Sequence, residues 1–200
     1  MTLTKIIGLT GPTGAGKSVI AGVFADMGAK IIDCDRLARK ATESPACISA
    51  LCGAFGSDIV MNGVLNRQKL ADRAFRSPAS TARLNQITHP AILRELERRI
   101  MCYKESGAAA IVIDAPLLFE GGVERYCDVT VAVVAAPETR KKRIMNRDAI
   151  TARQAELRMS VQKDNAYYAG LCTYAIDTGG SEPENKEKAA RLYVRIMNEG

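Results

Sequence analysis

The sequence predicts an α/β fold in three layers, a parallel sheet of about five strands with helices on both faces. Three observations lead to it. Short runs that are apolar on both faces recur along the chain, as strands buried within a parallel sheet require. Helical patterns occupy most of the intervals between them. A glycine-rich turn joins the first such run to the first helix.

The elements follow in order. Residues 5–10 form an apolar run stopped by Gly11 and Pro12, which reads as a buried strand. Residues 17–28 are helical, with Gly28 as the stop. Residues 29–33 make a second short strand. The third and fourth, at 108–114 and 128–135, are rich in Val, Ile and Ala and bounded by turn residues, and 174–177 is the fifth. Between 36 and 86 no strand stands out. This stretch reads as a helical insertion whose one turn signal is Met61-Asn-Gly63. Gly179-Gly-Ser-Glu-Pro183 reads as a loop, and 184–198 as a closing helix.

With 200 residues, 47% of them hydrophobic and 25% charged, the chain suits one domain with a sizeable core, and global disorder is excluded. Its six cysteines include no C-x-x-C pair, and the lone histidine, His89, is far from any pair of them, so neither zinc nor a disulfide framework is expected. No leader-like run precedes the first strand and no apolar run has the length of a membrane span. The expected location is the cytoplasm, with no membrane partner; a monomer and a weak homo-oligomer both stay open. The net charge of +6 suits any polyanion. Its distribution says more. Between Arg140 and Arg158 seven basic residues face two acidic ones, and no aromatic accompanies them to stack bases. Phosphate handling or a solvated helical face fits this segment better than nucleic acid, which is not an expected partner.

Gly11-Pro-Thr-Gly-Ala-Gly-Lys17-Ser18 fits G-x-x-x-x-G-K-[ST], between a strand and a helix as the mechanism of a P-loop demands. Glycines let the backbone turn its amides inward to cradle phosphates, and the helix dipole adds positive charge there. Gly11, Thr13, Gly14, Ala15, Gly16, Lys17, Ser18 and Val19 are the candidate nucleotide contacts. Lys17 is expected on the β/γ-phosphate oxygens and Ser18 on Mg²⁺, which implies ATP and Mg²⁺ as cofactors. A guanine-reading switch is disfavoured. Asp177-Thr-Gly-Gly180 follows the last strand, where no γ-phosphate sensor sits, and Asn185-Lys-Glu-Lys188 lacks the aspartate that reads guanine.

A small-molecule kinase needs a carboxylate near the attacking hydroxyl. Asp33-Cys-Asp35 ends the second strand, at the sheet edge where ligands collect. If the strand continues through Asp35, both carboxylates point the same way; the other reading has Asp35 cap the following helix. Ala110-Ile-Val-Ile-Asp114 has the form of a Walker B strand, with Asp114 holding Mg²⁺ through water. Arg140, Arg143 and Arg147, three and four residues apart, share a helical face. They form either a row closing over the phosphates or a solvated surface.

Across nearly its whole length the chain resembles the dephospho-coenzyme A kinase family. The resemblance rests on Gly8-Leu-Thr-Gly11 with Gly14-Ala-Gly-Lys-Ser18, on Ile31-Ile-Asp-Cys-Asp35 with Ala38-Arg39, and on Leu84-Asn85 with Thr88-His-Pro90. It extends through Asp114-Ala-Pro-Leu-Leu-Phe-Glu120, the most specific string, to Pro137-Glu138-Thr139, Arg143 and Arg147-Asp148. It implies transfer of the ATP γ-phosphoryl group to the 3′-hydroxyl of dephospho-coenzyme A, the last step of coenzyme A synthesis. It also implies a P-loop core (residues 1–35, 87–137 and 171–200), a helical acceptor region at 36–86 and a lid at 138–170. By the same resemblance Asp35 is the base, Arg143 serves transfer with Arg147 nearby, and Asp35, Arg39, His89, Pro116, Leu117, Leu118 and Glu120 meet the acceptor. For His89 a helix-start cap beside Pro90 is as good a reading. Another small-molecule kinase, of the nucleoside or shikimate type, is the alternative, since shikimate kinases also carry D-x-D after the second strand. Where the family has Ala-Asp before and Asn-Asn-Gly after the last strand, this chain has Cys172-Thr173 and Asp177-Thr-Gly179, which leaves adenine contacts there open.

Overall fold

The structure is a computed structural model, and it describes residues 4–199. Strand β1 (Lys5–Thr10) leads through the glycine-rich turn into helix α1 (Lys17–Asp26), followed by β2 (Lys30–Asp33) and α2 (Cys34–Ala41). Next come α3 (Pro45–Phe55), the two-residue strands β3 (Val60–Met61) and β4 (Val64–Leu65), α4 (Arg67–Ala74) and the long α5 (Pro78–Glu105). The chain then forms β5 (Ala110–Asp114), β6 (Val129–Val134), α6 (Pro137–Asp148), α7 (Ala152–Ser160), α8 (Asn165–Leu171), β7 (Tyr174–Asp177) and α9 (Glu182–Asn198). The chain divides into two compact units. One comprises the described residues of Met1–Ile32 and Tyr103–Gly200; the other is Asp33–Cys102.

The five-stranded sheet has the order β2-β5-β1-β6-β7. Strand β1 pairs in parallel with both β5 and β6, and β6 with β7. Ile7, Leu9, Val112, Val131 and Val133 project to one face, where Ile20 and Phe24 of α1 and Ala189, Tyr193 and Ile196 of α9 cover them. On the other face Gly8 is matched by close packing: a Cβ there would stand 2.8 Å from Cys127 Sγ and 3.0 Å from Leu118 Cδ2. Both faces are thus apolar because both are covered, which is why the strands read as unbroken apolar runs.

The second unit has its own small core of Leu51, Phe55, Ile59, Leu65 and Leu70. Its hairpin of β3 and β4 turns at Asn62 and Gly63, both at positive φ (51° and 77°) as a tight hairpin needs. Helix α5 runs through Pro90, so His89 lies within a helix and caps no helix start. Proline removes one backbone bond from the helix. Thr88, Leu96 and Ile100 are the buried residues of this helix. Helix α9 starts two residues before the expected position. Ser181 and Glu184 form a reciprocal capping box around Pro183, so residues 182 and 183 are helix and not loop.

Phe24 lies fully buried with its ring centroid 5.2 Å from that of Tyr193, joining α1 to α9 beneath the glycine-rich turn. Phe24→Ala should lower unfolding free energy by about 3–5 kcal/mol, measured as a shift of the urea midpoint at constant slope.

Candidate active site

The turn between β1 and α1 takes a shape that only glycine permits at two places. Gly11 has φ 144°, and a Cβ would lie 2.1 Å from the Val133 carbonyl of the adjacent β6. Gly14 has φ 77°, and a Cβ would lie 2.7 Å from the Arg140 carbonyl and 2.9 Å from Ile144 Cγ1. The loop is therefore pressed between β6 and the back of α6. Ala15 N–H closes an internal turn onto the Pro12 carbonyl at 3.2 Å. Among the described residues, the amides of Gly14, Gly16, Lys17 and Ser18 meet no protein acceptor. These donors lie at the start of α1, where free N–H groups and the helix dipole favour an anion.

Strand pairing places the carboxylate. Leu9 of β1 stands opposite Asp114 of β5, so the chain leaving β1 returns over the end of β5 with Lys17. Lys17 Nζ makes an ion pair and hydrogen bond with Asp114 Oδ1, the two side chains 17% and 16% exposed. Thr10 Oγ1 donates to the Pro116 carbonyl at 3.2 Å and Ala115 N–H to the Leu9 carbonyl at 3.0 Å, fixing the segment beyond Asp114. The Ser18 hydroxyl is exposed at the first turn of α1.

The three arginines of α6 do different things. Arg140 is buried, with Nε donating to the Thr13 carbonyl at 2.9 Å and Nη2 to Gln162 Oε1 at 3.4 Å. Burial pushes its pKa down, and the oxygens around it offset that cost. It braces the loop at Thr13. Arg143 donates to Thr178 Oγ1 (3.0 Å), to the Thr178 carbonyl (2.7 Å) and, more weakly, to the Gly14 carbonyl (3.5 Å). Arg147 is exposed and forks onto its neighbour Asp148 at 2.8 and 2.9 Å, where Arg158 also binds. These contacts, Arg147 first, hold the Asp148 carboxyl below its usual pKa. The expected row thus separates into a brace, a residue beside the loop and a surface pair.

Thr178, Asn185 and Gln162 escaped the sequence reading. Thr178 Oγ1 donates to the Ala15 carbonyl at 2.6 Å while accepting from Arg143. Asn185 Nδ2 donates to the Thr178 and Gly180 carbonyls at 2.9 Å each. Gly16, Val19, Arg143, Thr178, Glu182 and Asn185 line a hollow of about 200 Å³ beside the loop. Gln162 accepts from Thr13 N–H at 3.0 Å. The only local cue was the capping box that starts α9 and fixes Asn185.

Strand β2 stops at Asp33 and does not continue through Asp35. The cap of α2 is Asp33, whose Oδ1 accepts from Arg36 N–H at 2.9 Å, and Asp35 sits exposed in the first helical turn. Arg39 is exposed, and its carbonyl accepts from Arg67 Nη2 at 2.9 Å, which ties down the end of α2. His89 is half-buried on α5. Of the 116–120 string, Leu117 is 64% exposed, whereas Leu118 is fully buried against Gly8 and offers no side chain to an acceptor. The Pro116 carbonyl is held by Thr10, and Glu120 accepts from the Tyr167 hydroxyl at 3.5 Å.

The donors fit Mg²⁺. This ion keeps water and phosphate oxygens and takes only one or two protein oxygens, and Ser18 and Asp114 supply such hard donors beside the cradle. No cluster of three or more His, Cys, Asp or Glu that could hold a metal ion exists among the described residues.

A parallel sheet with a phosphate cradle after its first strand, a lysine at the helix start and a carboxylate on the adjoining strand define a P-loop phosphotransferase. The dephospho-CoA kinase family model matches residues 5–184. A dephospho-CoA kinase from Syntrophotalea carbinolica is 35% identical over 195 residues, 96% of this chain and 92% of that one. One from Moorella thermoacetica is 40% identical over 179 residues, 88% and 84% of the two chains. The crystal structure of TT1252 from Thermus thermophilus superposes with a TM-score of 0.85 at 29% identity, covering 96% of this chain and 97% of that one. The chain belongs to the dephospho-CoA kinase family.

Thr178→Val keeps the side-chain shape but removes a donor to Ala15 and an acceptor for Arg143. It should cost about 1–3 kcal/mol, seen as a lower thermal midpoint, and should weaken ADP binding in calorimetry.

Proposed function

We propose that the chain transfers the γ-phosphoryl group of ATP to the 3′-hydroxyl of dephospho-CoA, with the phosphates on the 11–18 loop and Asp35 as the base. The observation that carries this reading is the loop itself, with its close-packed glycines, its amides without protein acceptors among the described residues, and Lys17 held at Asp114. The family membership supports the acceptor. In the transfer, the 3′-oxygen bonds to the γ-phosphorus as the bond from that phosphorus to the β,γ-bridging oxygen breaks. The hydroxyl proton passes to Asp35, and the leaving charge stays on ADP. Lys17 turns from Asp114 to the phosphates, and the loop amides bind their oxygens. Ser18 and Asp114 would hold Mg²⁺, which would supply compensating positive charge. Positioning and charge, more than base strength, carry reactions of this kind.

The hollow formed by Val19, Thr178 and Asn185 suits the adenine end of ATP. Arg143, on its rim, is proposed to meet the transferring group, and Arg147 to join only after leaving Asp148. Arg39, His89, Pro116, Leu117 and Glu120 are proposed on the acceptor side, with 36–86 as the acceptor region and 138–170 as the lid. The role is that of a cytoplasmic enzyme acting on a small molecule. No helix among the described residues is long and apolar enough to cross a membrane.

Wild-type protein with Mg-ATP should form ADP in the presence of dephospho-CoA well above its acceptor-free rate; equal rates would sink the reading. Asp35→Asn should lower turnover roughly a hundredfold or more while leaving ADP affinity in place. Wild-type turnover in that variant would reject Asp35 as the base.

A further inference from the structure

Glycine lets the 11–18 loop reach its cradle shape and equally lets it leave that shape. The entry turn at Thr13 is held by side chains. Thr13 N–H donates to Gln162 Oε1 at 3.0 Å, and the Thr13 carbonyl accepts from Arg140 Nε at 2.9 Å. Arg140 Nη2 also reaches Gln162 Oε1 at 3.4 Å, which closes the set. Both polar groups of one peptide residue are thus gripped from outside the loop. The grip takes Thr13 N–H, whereas the amides of Gly14, Gly16, Lys17 and Ser18 meet no protein acceptor among the described residues.

Gln162 lies between α7 and α8, in the stretch after Ser160 and before Asp164 caps α8. Its amide oxygen therefore links that connection to a loop 149 residues earlier in the chain. What the place requires is an acceptor oxygen at this reach, with Arg140 Nη2 3.4 Å away.

We infer that Gln162 is a positioning residue. Acting through Thr13, it fixes the phosphate cradle before nucleotide binds and makes the cradle's shape depend on the placement of the α7–α8 connection. It touches neither the nucleotide nor the acceptor. The inference rests on the nucleotide reading of the loop. Preorganisation of this kind shows in affinity, because a loop already in its bound shape need not be ordered by the ligand.

The test is calorimetric titration with ADP in the absence of acceptor, paired with thermal unfolding and steady-state kinetics. Gln162→Ala should bind ADP about tenfold more weakly and show a matching rise in KM for ATP. Its KM for dephospho-CoA should stay at the wild-type value, and its thermal midpoint should fall by no more than a few degrees. Gln162→Glu, which keeps the acceptor oxygen and has Arg140 to neutralise it, should recover most of the ADP affinity. Gln162→Asn, one methylene short of Thr13, should behave like alanine. Wild-type ADP affinity in Gln162→Ala, or a glutamate variant as weak as alanine, would overturn the inference. So would a large fall in the thermal midpoint of Gln162→Ala, which marks a residue that only holds the fold together. Wild-type protein that binds no ADP would overturn the nucleotide reading along with it.

Discussion

Everything in the site depends on where parallel pairing of β1 and β5 brings two opposite charges. Leu9 opposite Asp114 fixes the end of β5 beneath the loop that leaves β1, and the return of that loop into α1 delivers Lys17 to the carboxylate. Either charge alone would pay heavily for its burial, whereas the pair satisfies itself. The pair holds the lysine at the end of β5, beside the glycine-rich turn.

The second constraint is the approach of α6. Its Arg140 carbonyl and Ile144 side chain lie so close to the loop that residue 14 must be glycine. The same approach buries Arg140 and lets it bond Thr13, and it puts Arg143 within reach of Thr178. Thr178 then links the loop, α6 and, through Asn185, the start of α9. The glycines, which could not hold a shape by themselves, are held by side chains from three distant parts of the chain.

The strands and the cradle were legible because their signals are local. Apolar runs mark buried strands, and the spacing from Gly11 to Ser18 carries its own mechanism. Asp114 was legible for the same reason, ending an apolar run beside the cradle. Which aspartate caps α2 was not legible because strand and helix meet there without a spacer, so the one that looks like a strand end, Asp33, serves as the helix cap. The arginine face was read correctly as a face. Periodicity, however, says nothing of the partners that make Arg140 a brace and Arg147 half of a surface pair. The hairpin at 60–65 showed only its Asn-Gly turn, since two-residue strands are too short to alternate. Gln162 and Thr178 were invisible, because their partners lie 149 and 163 residues away.

The claim that Asp114 parks Lys17 and then serves the metal is tested most directly by ADP affinity of Asp114→Asn, measured by calorimetry with and without Mg²⁺. Without Mg²⁺ the variant should bind ADP at least as tightly as wild type, because Lys17 no longer leaves a carboxylate to meet the phosphates. It should also lose the tightening that Mg²⁺ gives wild type. Weaker metal-free binding together with an unchanged response to Mg²⁺ would contradict the account.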